Sequence, residues 1–547
     1  MRAKVISLVV AICVAPVMAQ HHNGNGTSVN ELHPGLGSYH HPITTKSREA
    51  QTFFNQGLTL LYGFNHDEAA RYFRRASELD PEAAMPYWGL ALSIGPNYND
   101  TAVDENRAKA TFEAVQKASQ RASKATVREQ DYIRAIARRY RSADPKSDWK
   151  QFHLEYSDAM RELVKKYPDD VDAATMFAES LMMLRPWQLW TLDGKPADIK
   201  TLEIVAVLES VMKRNPNHPG ANHFYIHAVE ASPNLERAIP SAMRLLTLVP
   251  GAGHLVHMPG HIFLQTGDYD LAATTNIGAA AADKSFVERT RATGIYPLMY
   301  YTHNIHFIAY ARAQQGIYAE AKQAALDMVK NVGDGDLQMQ MLEAFLLYPL
   351  MIDLRFHKWD EILKTPAPRA ERKLLSAFWQ YSRAMAFAGL GKFKEAGEAK
   401  AQFESLRKAL PAESMYLLNN KGSNILALAA ATLNAHLAGA RGEKEKSIQE
   451  WRRAVEVEST IQYDEPPAWF YAVRESLGAA LLRNGQAKEA ETVFRAILEK
   501  HPRDGRVLFG LAQSLKAQKR DSEAVLVEAQ FNTAWSAATV KLKIEDL

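Results

Sequence analysis

From Gln51 to Leu547 apolar residues recur at spacings of three and four, prolines and glycines break the runs, and alternating strand-like stretches are scarce. That period belongs to amphipathic helices, so the body of the chain is predicted to be all-α, with no strand required anywhere. Within it one series of four anchors repeats at separations of four, three and five residues, ending in proline. It reads Ala69, Phe73, Ala76, Pro81, then Tyr156, Met160, Leu163, Pro168, then Ile204, Leu208, Val211, Pro216. It returns as Ala238, Ala242, Leu245, Pro250 and as Ala490, Phe494, Ile497, Pro502. Glycines expected to end the preceding helix stand at Gly267, Gly316, Gly391, Gly442 and Gly485.

The anchors resemble the second helix of a tetratricopeptide repeat, and the 34 residues from Pro216 to Pro250 match that family's period. The resemblance implies a single tetratricopeptide-like α-solenoid over residues 47–547, a superhelix of helix-turn-helix repeats in which each hairpin buries its apolar face only by stacking on its neighbours. It implies a concave groove lined by one face of each first helix, and a peptide or protein partner in that groove. Three stretches depart from the pattern and are expected to be insertions: charged helices near 100–150, a loop at 185–200 holding Trp187 and Trp190, and a segment near 283–301.

Composition narrows the setting. The 547 residues are 47% hydrophobic and 23% charged, which suits a folded body. A net charge of +3 without a basic run argues against nucleic acid as a partner. Residues 1–19 carry Arg2 and Lys4, an apolar run from Val5 to Val17 and a small-residue end at Ala19, the form of a secretory signal. A periplasmic or secreted protein is therefore expected, and no later run offers the about 20 apolar residues of a membrane span. Cys13, the single cysteine, lies inside that signal, so no thiolate chemistry is expected after processing. Residues 20–46 are rich in Gly, Asn and His and read as a mobile tail. Its start, Gln20-His21-His22, is a pattern that chelates copper or nickel weakly when the amine is free.

Histidine placement carries the chemistry. Of 18 histidines, eight lie from His218 to His306. Seven residues after the closing proline stand Thr175, His223 and His257; eleven after it stand Glu179, His227 and His261; four after it stand Asp172, Gly220 and His254. Counting back ten and thirteen from Gly316 reaches His306 and His303, just as Gly267 reaches His257 and His254. These offsets share one helical face. His223, His227, Glu230, His254, His257, His261, His303 and His306 are therefore expected to face one cavity from three successive helices.

Pairs at i, i+4, here His223/His227 and His257/His261, have a metal-ligand spacing, and Pro259 between the second pair requires a helix start near Met258. A nitrogen-rich, thiolate-free set suits a divalent transition metal, zinc or copper. Glu230 and Glu179 are expected as oxygen ligands, as partners fixing a ring tautomer, or as general bases. The groove ruler also places Trp88, Leu92, Tyr381, His436 and Glu475, while Asn97, Asn99 and the run Tyr463-Asp464-Glu465 are further polar candidates. No Gly-rich phosphate loop or Gly-x-Ser-x-Gly elbow is present. Three readings follow: a metal-binding repeat protein acting as carrier or metalloenzyme, a peptide-binding scaffold without metal, and a metal-dependent hydrolase or oxidase with a small substrate under the Trp187/Trp190 loop.

Overall fold

The computed structural model describes residues 29–333 and 339–547; the signal-like residues 1–19 and the Gln20-His21-His22 motif lie outside them. The fold is an all-α, tetratricopeptide-like solenoid of antiparallel helical hairpins, each stacked on the next. The anchor series explains the stacking. Phe73, on helix His66–Leu79, sits against Gly57 and Gly89, where an added Cβ would lie 3.0 and 2.4 Å from its ring. Phe494, on helix Ala487–Leu498, repeats the arrangement against Gly478 and Gly510, with gaps of 2.6 and 2.4 Å. In these two repeats a large anchor on the second helix fills notches on the first helices of two adjoining hairpins, and truncating such a buried ring costs about 3–5 kcal/mol. At the ends of the histidine-bearing helices Gly267 and Gly316 adopt φ of +77° and +76°, a left-handed turn that favours glycine.

Several stretches differ from expectation. The 100–150 region supplies helices Glu105–Arg121 and Val127–Arg139, which pack against their neighbours in the array, the first through Ala108, Ala114, Val115 and Ala118 and the second through Tyr132, Ile133 and Ile136. On the first of these helices small alanine anchors beneath a charged exterior hide the register. The 283–301 segment extends helix Tyr269–Thr290 and then forms a π-turn, Tyr296–Tyr300, that runs into helix Tyr301–Gln314. Buried Asp283 ties it down, accepting from Tyr296 Oη at 2.9 Å and from Asn304 Nδ2 at 2.6 Å. The 185–200 loop is pinned by Trp190 Nε1 donating to the Ala228 carbonyl at 2.7 Å. A short antiparallel ladder, Met415–Tyr416 with Asn420–Lys421, is a strand pair that the helical period does not foretell.

The tail reading is also corrected from Val29 onward. Residues 29–46 form a strap packed on the array, with Val29, His33, Leu36 and His41 buried. Tyr39 Oη and His41 Nδ1 donate to the two oxygens of buried Asp172, each at 2.7 Å, and Tyr62 Oη donates to it at 2.5 Å. Burial pushes the His41 imidazole down, but the Asp172 carboxylate outweighs it and the net displacement is upward. Composition alone described this segment as solvated because its contacts are long-range.

Residues far apart along the array meet across its interior. Asn99 Nδ2 donates to Tyr300 Oη at 3.0 Å, and Gln265 Nε2 donates to Glu465 Oε1 at 2.7 Å. Among the described residues no helix is long and apolar enough to cross a membrane.

Candidate metal centre

Three helical segments deliver the histidines. Helix Pro219–Val229 starts at the His218 cap with proline in its first turn, and presents His223 and His227 one turn apart. Gly220 admits the ring of Tyr62, 2.3 Å from where a Cβ would stand, so the first repeat comes close and brings Phe64 within 4.4 Å of the His223 ring. The next helix is broken by Pro259 into Gly253–His257 and Pro259–Thr266. Met258 keeps helical angles, φ −53° and ψ −36°, so the path continues and His254, His257 and His261 stay adjacent, the first pair stacked with centroids 5.5 Å apart and the second edge-to-face at 4.7 Å. Helix Tyr301–Gln314 adds His303, whose ring centroid is 4.9 Å from that of His257.

The imidazoles meet as two triads, His223/His227/His254 and His257/His261/His303, with ligand nitrogens within 4.8 Å of one another in each. Four of the six outer nitrogens are occupied, while Nδ1 of His254 and of His303 is buried without a partner among the described residues. His223 Nδ1 donates to the Tyr62 carbonyl at 2.5 Å. His227 and His261 Nδ1 donate to the two oxygens of Glu230, at 2.8 and 2.5 Å. His257 Nδ1 meets Asn276 Oδ1 at 2.7 Å, and because Asn276 Nδ2 is spent on the Ala272 carbonyl, the ring must be the donor.

Four rings are thereby locked with Nδ1–H outward, leaving Nε2 bare and turned inward. His257 and His261 face each other Nε2 to Nε2 at 2.8 Å, and His223 and His254 at 3.2 Å. Nitrogens bound 2.0–2.1 Å from one tetrahedral ion stand about 3.3 Å apart, close to the second value. His227 Nε2 is buried without a partner.

Burial drives the His223, His254, His257 and His303 imidazoles well below the usual range, and the neighbouring rings add to it. These groups therefore keep the neutral form that ligates metals. Burial alone would raise Glu230, but the His227 and His261 rings outweigh it and hold the carboxyl far below the ordinary carboxylate value. One buried anion thus ties one ring of each triad.

Not every predicted residue joins. Glu179 is held by Arg139 through contacts of 3.1 and 3.2 Å, and no candidate group of the centre includes it. Its reading as a base beside the histidines is corrected: the adjacent arginine captures it. His306 turns toward Tyr348, centroids 4.3 Å apart, and Phe345; burial lowers it to about 3 and neither ring nitrogen has a partner. Its offset of three from His303 sends it to the neighbouring hairpin, so it leaves the ligand set. Glu230 gives each of its oxygens to an imidazole N–H group, so it positions the His227 and His261 rings. His436 lies beside Trp359, centroids 5.8 Å apart, with its imidazole lowered to about 4 by burial.

In front of the triads lies a cavity of about 80 Å³, reached by His227, His254, His261 and His303 and walled by Phe64, Trp187, Met299, Tyr300 and Met341. Asn97, Asn99, Asp464 and Glu465 contribute polar edges. Among the described residues six that are not glycine have clearly positive φ, and three of them, Phe64 (+55°), Trp187 (+60°) and Leu417 (+51°), line this cavity. That backbone costs a side-chain-bearing residue about 1–2 kcal/mol, and such strain concentrates where a site requires it. Phe64 and Leu417 escape sequence reasoning because they sit in turns outside the helical period, and Asn276 because it is on a second helix.

The tetratricopeptide repeat profile matches residues 472–514, the hairpin Val473–Arg483 and Ala487–Leu498 with the start of the next helix. Among solved structures the chain is similar to yeast Tom70, at 13% identity over 92% of this chain and 94% of that one, with a TM-score of 0.27. It is similar to a human IFIT1 dimer with PPP-AAAA, at 12% identity over 88% and 89% of the two chains, TM-score 0.32. It is also similar to a chain of the APC/C hetero-tetramer Cut9–Hcn1, at 12% identity over 90% of this chain and 74% of that one, TM-score 0.30. No curated protein matches the sequence.

Proposed function

We propose that this protein binds a transition metal, zinc or copper, on the triads His223/His227/His254 and His257/His261/His303, and that it is exported by residues 1–19. The supporting observation is the outward lock on Nδ1: amide and carboxylate acceptors leave the bare Nε2 atoms of His257 and His261 facing each other at 2.8 Å in a buried interior, and a backbone acceptor holds His223 the same way. Two lone pairs at that separation need a cation beside them, and a third nitrogen converging in each triad suits a metal ion better than a proton. A three-histidine set leaves a coordination position open, toward the cavity, as catalytic metal sites do. A metalloenzyme or a metal carrier fits that geometry.

The test is the zinc and copper content of protein made without a histidine tag or nickel resin, measured by mass spectrometry after metal addition and desalting. At least one tightly held equivalent is expected, lost in the double variant His223→Ala, His257→Ala. Substoichiometric metal in the parent protein, or full retention in the variant, overturns the reading.

A second reading, a scaffold that binds a peptide or protein, is favoured by the tetratricopeptide match at residues 472–514. Metal-free protein that captures a peptide along its helical faces would favour it.

A further inference from the structure

Three residues that line the cavity before the histidines carry a buried polar atom that is not a metal ligand and has no partner among the described residues: Trp187 Nε1, Asn99 Oδ1 and Glu465 Oε2. All three are buried. The rest of each group is well held. Asn99 Nδ2 is spent on Tyr300 Oη. Glu465 Oε1 accepts from Gln265 Nε2 at 2.7 Å and from Tyr463 Oη, which leaves its second oxygen as the unpartnered one. Buried polar groups in folded proteins are paired with few exceptions, so three lining one cavity point to an occupant that is not protein.

The walls describe that occupant. Phe64, Trp187 and Tyr300 offer aromatic faces, and Met299, Met339 and Met341 offer adaptable thioethers that pack against rings. No lysine or arginine is among the described residues lining the cavity, whereas Asp464 and Glu465 are, so an anionic group finds no counter-charge there. Burial, with the Glu230 carboxylate nearby, pushes the Glu465 carboxyl well above the usual carboxylate range, so its free oxygen carries a proton; that oxygen and the indole donate, and Asn99 Oδ1 accepts. A hydroxyl group answers both needs, since it donates and accepts at once; a protonated amine cannot accept from the indole.

We infer that the cavity binds a small, uncharged aromatic molecule bearing a hydroxyl group, its ring against Phe64, Trp187 and the methionines and its hydroxyl among Trp187 Nε1, Asn99 Oδ1 and Glu465 Oε2. This deepens the metal reading by naming a ligand class for the same site, while the three atoms that select the ligand act whether or not an ion is bound. A pocket of this size excludes a folded peptide and suits a small ligand.

The test titrates benzyl alcohol, toluene and benzoate into the full chain by ligand-observed NMR, once after metal removal with a chelator and once after zinc addition. Benzyl alcohol is expected to bind both forms, about tenfold or more tighter than toluene, the worth of one or two good hydrogen bonds. Benzoate is expected not to saturate. Trp187→Phe, which removes the indole donor and keeps an aromatic face, and Asn99→Ala are each expected to weaken benzyl alcohol about tenfold. The inference is overturned if toluene or benzoate matches benzyl alcohol, if no probe binds, or if both variants leave its affinity unchanged. Because the metal-free titration decides the outcome, failure of the metal reading leaves this result legible, and the reverse also holds.

Discussion

The middle of the array and its carboxyl-terminal part place different chemistry at the same position of the repeat. Ten residues before the turn glycine stands His257 in one and Glu475 in the other. Both side chains are buried. Glu475 is satisfied from within: Arg355 clamps it with contacts of 2.7 and 2.8 Å, and Arg506 stands 3.7 Å away. His257 is satisfied on one side only, by Asn276, and meets His261 nitrogen to nitrogen on the other. The repeat therefore supplies the direction of a side chain, and its neighbours decide whether it becomes a structural tie or a half-finished coordination sphere.

That contrast can be broken by mutation. The largest effect is expected at the tie. Glu475→Gln leaves the Arg355 and Arg506 guanidinium groups buried without their anion, and removing one partner of such a pair costs about 3–5 kcal/mol. Denaturant unfolding should show that loss, and metal content should stay at the parent value; a fall in metal content would join the two regions into one system. A smaller effect is expected at the centre. Glu230→Gln keeps the shape but removes the anion that orients His227 and His261, and losing such an outer partner typically weakens metal about 10–100-fold. Competition with a chromophoric chelator measures this, with circular dichroism to confirm the fold. Unchanged affinity would mean that Glu230 is a structural anion only.

Much of this was legible in residue spacing. The four, three, five anchor series required helical hairpins, and two independent rulers, the closing proline and the turn glycine, assigned the histidines to a shared face. What spacing lacks is direction around the axis at fine scale, and that is why His306, three residues beyond His303, turns to Tyr348 instead. It also lacks long-range partners. Glu179 has the right offset but meets Arg139, which the sequence places 40 residues earlier. The strap at residues 29–46 reads as solvated because Asp172, its main partner, lies 131 residues from His41. Phe64, Trp187 and Leu417 owe their place to left-handed turns, which carry no periodic signal when the residue is not glycine.

The central claim is that inward-facing Nε2 atoms from three helical segments converge on an ion. X-ray absorption at the metal edge of the zinc- or copper-loaded protein tests it most directly. The account predicts nitrogen neighbours at about 2.0–2.1 Å with the outer-shell scattering of at least three imidazoles per ion. A shell of oxygen neighbours with fewer than two imidazoles would contradict it.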